Sequence, residues 1–150
     1  MDGRGRGRCC PGRRFRVVLS SEEETKSVAK EFAEKLCPGD VVCLEGDLGA
    51  GKTTFVKGIA SYFDIEEESV NSPTFIYLQQ YGNLAHFDLY RLKNEGEFLA
   101  LGLDEYFAPP YISCVEWPNI LDKTLPRDVY WISLKHHPDG RELVIEKRKM

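Results

Sequence analysis

Two apolar spacings alternate along the chain, one of period two and one of three to four, and together they mark out its elements. Phe15 to Leu19 alternates weakly and predicts a first strand. Val28, Phe32 and Leu36 then recur four residues apart, supported by Ala29 and Ala33, which predicts a helix with one apolar stripe. Ser21 reads as its N-cap with Glu24 as the capping-box partner, and Pro38-Gly39 ends it. Val41 to Leu44 is a short apolar, partly β-branched run, hence a strand. From Lys52 to Phe63 there is no proline, and apolar residues at 55, 56, 59, 60 and 63 predict a second helix.

The rest is shorter-ranged. Asp64 to Asn71 is acidic and loop-like. A strand from Phe75 to Leu78 runs towards Tyr81, Gly82-Asn83 makes a tight turn, and Leu84 to Leu89 returns antiparallel. Asn94 to Phe107 predicts a short helix broken near Gly102 and stopped by Pro109-Pro110. Tyr111 to Val115 forms a strand ending in Glu116, Trp117-Pro118 marks its exit, and Ile120 to Leu125 suggests a helical turn. Val129 to Leu134 pairs with Leu143 to Glu146 across a turn containing His136-His137. Strands alternating with helices and then hairpins predict an α/β class with a mixed central sheet.

Composition adds limits. With 150 residues, 42% hydrophobic and 29% charged, the chain suits one compact domain, expected over 17–150. Neither a membrane-length apolar run nor a secretory leader is visible, so the expected compartment is the cytoplasm, with no membrane partner. The five cysteines, Cys9, Cys10, Cys37, Cys43 and Cys114, lack metal-binding spacing, and Cys43 and Cys114 read as core thiols. Net charge is −4, yet six arginines and one aspartate give residues 1–16 a charge of +5, leaving −9 for the remainder. Such a Gly-Arg head suits a flexible extension; contact with RNA phosphates is the functional alternative.

One stretch carries chemistry. Gly46-Asp47-Leu48-Gly49-Ala50-Gly51-Lys52-Thr53 fills the pattern G-x-x-x-x-G-K-[ST] between a predicted strand and a predicted helix. Its glycines let the loop curve into a nest of backbone N–H groups at a helix N-terminus, which favours phosphate. Lys52 is placed to reach the β and γ phosphates, and the Thr53 hydroxyl to complete the shell of a magnesium ion. The motif predicts a three-layer P-loop NTPase-like fold and a magnesium nucleoside triphosphate as ligand.

Such a loop needs an acid, commonly at the C-terminal end of a neighbouring apolar strand. Glu116 fits that position, through metal-bound water or as general base; a solvated strand-end glutamate is the plain alternative. In His86-Phe87-Asp88-Leu89-Tyr90-Arg91, strand periodicity sends His86, Asp88 and Tyr90 to one face. Asp88 can hold the metal's water shell with His86 or Tyr90 orienting it, or the three form a buried polar network. Arg91 suits transferred phosphoryl charge or a salt bridge, and Trp117 either the core or an exposed contact. Ser72-Pro73-Thr74 places Ser72 and Thr74 on a rigid turn suited to sensing a γ-phosphate or a substrate; a plain turn before a strand is the alternative.

The loop through Thr54, Ser72-Pro73-Thr74-Phe75, His86 to Arg91, and Glu116-Trp117-Pro118 follow the order and approximate spacing of the bacterial TsaE (YjeE) family, which residues 20–147 resemble. The resemblance implies a small ATPase working with TsaB and TsaD proteins, which place threonylcarbamoyl on adenosine 37 of tRNA; its hydrolysis supports their repeated turnover. It also implies that Lys52, Asp88 and Glu116 serve catalysis, Thr53 and Glu116 the metal, and the loop through Thr54 the nucleotide. Base contacts would come from Glu22 and Arg141. The Gly-Arg head has no counterpart in the family pattern, and Asn119 stands where an acid is more usual. Two other readings stay open: a small-molecule kinase, against which stands the lack of an arginine cluster between residues 92 and 126, and a non-catalytic nucleotide-binding adaptor.

Overall fold

The computed structural model describes residues 14–47, 49–71 and 77–149. Its strands are β1 (Arg14–Leu19), β2 (Val41–Glu45), β3 (Leu78–Tyr81), β4 (Leu84–Asp88), β5 (Ile112–Glu116), β6 (Asp128–His137) and β7 (Gly140–Lys149). They form one mixed sheet in the order β1-β7-β6-β2-β5-β4-β3. The block β6-β2-β5-β4 is parallel, and antiparallel pairs close both ends. This is the predicted α/β architecture. The central strand β2 is buried from Val41 to Leu44, which explains its unbroken apolar run.

Helices α1 (Glu22–Ala33) and α2 (Lys52–Tyr62) cover one face of the sheet. Phe32, Phe55, Ile59, Leu44, Cys114 and Ile132 meet in a core between them and the strands. The two helices pack closely, since a Cβ at Gly58 would lie 2.6 Å from the Lys26 carbonyl oxygen. On the other face, Phe87, Phe98, Leu89 and Val115 form a second core beneath the short α3 (Glu95–Ala100). Cys43 and Cys114 are buried as expected, and burial pushes the Cys43 thiol up to about 12. No helix of the described residues is long and apolar enough to cross a membrane.

Several boundaries differ from the sequence reading. The first strand begins at Arg14, inside the basic head, because Arg14 and Arg16 pair with Glu146 and Glu142 across the β1–β7 ladder. Residues 1–13 lie outside the described residues. Helix α1 stops at Ala33, and Leu36 reaches the core through a turn in which its N–H bonds to the Ala33 carbonyl. The capping box is displaced by one residue. The Ser21 hydroxyl accepts the Glu24 N–H at 3.1 Å, but the Glu24 carboxylate turns back to the N–H of Ser20 at 2.7 Å, one residue earlier than the standard box.

The expected break near Gly102 is present, with φ of 74° there and a 3₁₀ segment Leu103–Phe107 beyond it. The turn placed at Ile120 to Leu125 is instead a 3₁₀ segment at Pro118–Ile120. The chain beyond Leu121 is held from outside: Glu95 Oε2 accepts the N–H groups of Asp122 at 3.0 Å and Thr124 at 2.7 Å. The Thr124 hydroxyl first, then those backbone groups, lower the Glu95 carboxyl to about 2. Its stabilising contribution is therefore complete above the ordinary value of 4.5 and lost as pH falls towards about 2. Denaturant unfolding of wild type and Glu95→Ala should accordingly show a stability gap at neutral pH that narrows through this acid range.

Candidate functional site

The site forms where β2 ends. A Cβ at Gly46 would stand 2.4 Å from the Leu134 carbonyl oxygen on β6, so only glycine lets the chain leave the sheet there. Gly51 takes φ of 108° as N-cap of α2, turning the loop into the helix start. A phosphate is thereby offered a helix N-terminus with its N–H groups and positive dipole end. Leu48 lies outside the described residues.

Strand alternation brings in the acids. On β5, Ile112, Cys114 and Glu116 share the face covered by α1 and α2, and on β4 so do Leu84, His86 and Asp88. The parallel register sets His86 beside Cys114 and Asp88 beside Glu116. Thr53, one residue into α2, donates its hydroxyl to Glu116 Oε2 at 3.2 Å. His86 Nε2 lies 2.6 Å from the same oxygen, with the ring fully buried. Two constellations separate in sequence are thus one cluster.

Lys52 is buried, with 5% of its surface exposed. Its ammonium donates to the Gly46 carbonyl at 2.6 Å and stands 3.9 Å from the centre of the Trp117 ring. Burial lowers its pKa, against which the carboxylates of Glu116, Asp88 and Asp47 pull upward. Trp117 itself adopts φ of 58° and ψ of 59°, a left-handed conformation uncommon for a bulky residue. Such backbone outliers gather at functional sites. The following Pro118 disfavours the right-handed helical region for Trp117, but the Trp117-Pro118 pair marks only the strand's exit and does not foretell the left-handed turn.

Tyr90 departs from the predicted shared face. Strand β4 ends at Asp88, whose Oδ1 accepts the Tyr90 N–H at 3.0 Å, so Tyr90 sits in the following turn. There its ring packs on Trp117 with centroids 4.9 Å apart, largely exposed. Trp117 is thus both wall and contact surface.

A cleft of about 500 Å³ opens over the loop, with Gly49, Gly51, Lys52, Thr53 and Thr54 as its floor. Asp88, Glu116 and Trp117 line it on one side; Ser20, Ser21, Glu22 and Arg141 line it too, from α1's start and β7. That volume is within the roughly 300–1,000 Å³ range of small-ligand pockets. Arg141 Nε and Nη2 donate to the carbonyls of Ala50 at 3.1 Å and Gly49 at 3.0 Å, so this guanidinium braces the loop. Ala50 is buried, and Asp47 faces an adjoining hollow shared with Asn119 and Trp117. Ser72 and Thr74 lie outside the described residues.

Among the described residues, no three His, Cys, Asp or Glu converge as a closed metal cage. The oxygen donors are instead the Thr53 hydroxyl and the carboxylates of Glu116 and Asp88. These are hard ligands, few in number and at the edge of a phosphate cradle, which fits an ion that retains waters and binds alongside phosphates, as magnesium does.

Residues 19–144 match the family model for threonylcarbamoyl adenosine biosynthesis protein TsaE. The chain belongs to the TsaE family. Its relatives include the tRNA threonylcarbamoyladenosine biosynthesis protein TsaE of Bacillus subtilis, 46% identical over 121 residues, covering 78% of this chain and 75% of that one. The protein of the same description from Rickettsia bellii is 43% identical over 131 residues, covering 85% and 90%. The crystal structure of Bacillus subtilis YdiB superposes with a TM-score of 0.74 at 35% identity, over 93% of this chain and 88% of that one. The TsaE family model spans all the elements that build the cleft, from Leu19 before α1 through β7 at Arg141.

Proposed function

We propose that this TsaE-family chain is a magnesium-dependent ATPase that supports threonylcarbamoylation of tRNA adenosine 37 by acting on a TsaB–TsaD complex. The observation that carries the reading is the convergence of Lys52, Thr53, Asp88 and Glu116 on one glycine-lined cleft. Its relatives' role in tRNA threonylcarbamoyladenosine biosynthesis gives that chemistry its setting.

The residues divide the work. Loop N–H groups and Lys52 bind the phosphate chain, for which Lys52 exchanges the Gly46 carbonyl for a phosphate oxygen. Thr53, Glu116 and Asp88 would hold magnesium and its waters, and the ion supplies charge neutralisation at the β and γ phosphates when bound. Glu116, buried beside the threonine, orients a water and takes its proton. Asp88, its neighbour across the ladder, assists from the adjacent strand.

Fast hydrolysis also needs a cation on the transferred phosphoryl group, often a partner's arginine. Arg141 commits Nε and one Nη2 N–H to loop carbonyls, and no other arginine lines the cleft among the described residues. Turnover by the isolated chain is therefore slow, and a partner raises it. Phosphate release by the chain alone, and after mixing with TsaB and TsaD proteins, tests this; association without stimulation, or neither, removes the reading.

A further inference from the structure

Among the described residues, the buried polar side chains are Thr25, Lys52, His86, Ser113 and Glu116. Thr25 and Ser113 donate to backbone carbonyls, and Lys52 and Glu116 belong to the phosphate site. His86 alone has no task in that scheme.

Its surroundings are specific. The ring is fully buried, Nε2 lies 2.6 Å from Glu116 Oε2, and among the described residues the buried Nδ1 has no hydrogen-bond partner. A carboxylate oxygen can only accept, so Nε2 carries the proton and Nδ1 the bare lone pair. Burying an unpaired ring nitrogen costs stability, and an apolar side chain would fill this layer between Leu84 and Asp88 without that cost. The ring is thus explained by its Nε2 proton. Among the described residues, the hydrogen bonds to the Glu116 carboxylate, from His86 and from Thr53, fall on Oε2. With that oxygen taken twice, the carboxyl group cannot rotate freely.

We infer that His86 is a positioning residue that pins Oε2 of Glu116, so that Oε1 is the oxygen presented to metal-bound water in the cleft. The inference rests on the metal-dependent nucleotide site proposed above. Hydrogen bonds that orient a ligand's far side commonly govern metal affinity in this way.

The test is a titration of a fluorescent ATP analogue into full-length protein, first with chelator and then across magnesium concentrations. His86→Leu should raise the half-saturating magnesium concentration about 10- to 100-fold. Binding without metal should stay as in wild type. His86→Gln, whose side-chain N–H can occupy the place of Nε2–H, should recover most of the loss. If His86→Leu does not fold by circular dichroism, His86→Asn, too short to reach Glu116, replaces it with the same expected rise.

An unchanged magnesium requirement in the leucine variant, equal impairment of the glutamine variant, or a loss as large in chelator as in magnesium overturns the inference. So does a wild-type protein whose nucleotide binding ignores magnesium. A wild type that binds magnesium and nucleotide yet never hydrolyses it defeats the ATPase reading alone, because the same titration still decides the role of His86.

Discussion

Lys52→Ala is expected to weaken binding of magnesium-ATP by about 100-fold or more, equivalent to roughly 2.7 kcal/mol. The size reflects the surroundings of the ammonium group. It is buried between the Gly46 carbonyl and the Trp117 ring, with Glu116, Asp88 and Asp47 close enough to act on its charge. Removing it takes away a phosphate ligand and also leaves those carboxylates without their cation, so an incoming triphosphate meets net repulsion. Equilibrium titration with a fluorescent ATP analogue measures the loss, and thermal unfolding confirms that the fold persists. Affinity near the wild-type value would show that the lysine does not hold phosphate.

The second large effect separates turnover from binding. Glu116→Gln keeps the side chain's volume and an oxygen for Thr53 and His86, but removes the charge that would draw a proton from water. Partner-stimulated phosphate release should fall about 100- to 1,000-fold, the scale of losing a general base. Nucleotide binding, which rests on the loop and Lys52, should remain measurable in the same titration. Single-turnover release at saturating nucleotide distinguishes the two quantities. If the variant hydrolysed ATP at the wild-type rate, Asp88 would replace Glu116 as the group acting on water.

The contrast between these variants reflects which parts of the site the sequence revealed. The loop was legible because its geometry is local: glycine at 49 and 51 answers to a positive φ that other residues resist. The β3–β4 hairpin was legible for the same reason, since Gly82-Asn83 specifies its own turn. Glu116 and Asp88 were identifiable as strand-end acids, but not as neighbours. Their pairing depends on parallel register between strands more than twenty residues apart, which no local pattern fixes.

Residues with two plausible environments were the hardest to place. Tyr90 continued an alternating pattern, yet the strand stops when Asp88 accepts the Tyr90 N–H in a local turn. Arg141 lines the cleft and also donates to the loop backbone, a contact across the sheet order that sequence spacing cannot show. The close link of His86 to Glu116 was invisible for the same reason as the Asp88 register.

The central claim is that this cleft hydrolyses ATP and that the protein's partners set the rate. Its most direct test is phosphate release from magnesium-ATP by the full chain, alone and with TsaB and TsaD proteins, beside Lys52→Ala. The account predicts slow release alone, stimulation of about 100-fold or more in the mixture, and no stimulated release with Lys52→Ala. Equal rates with and without the partners, or the same stimulated release from Lys52→Ala, would contradict it.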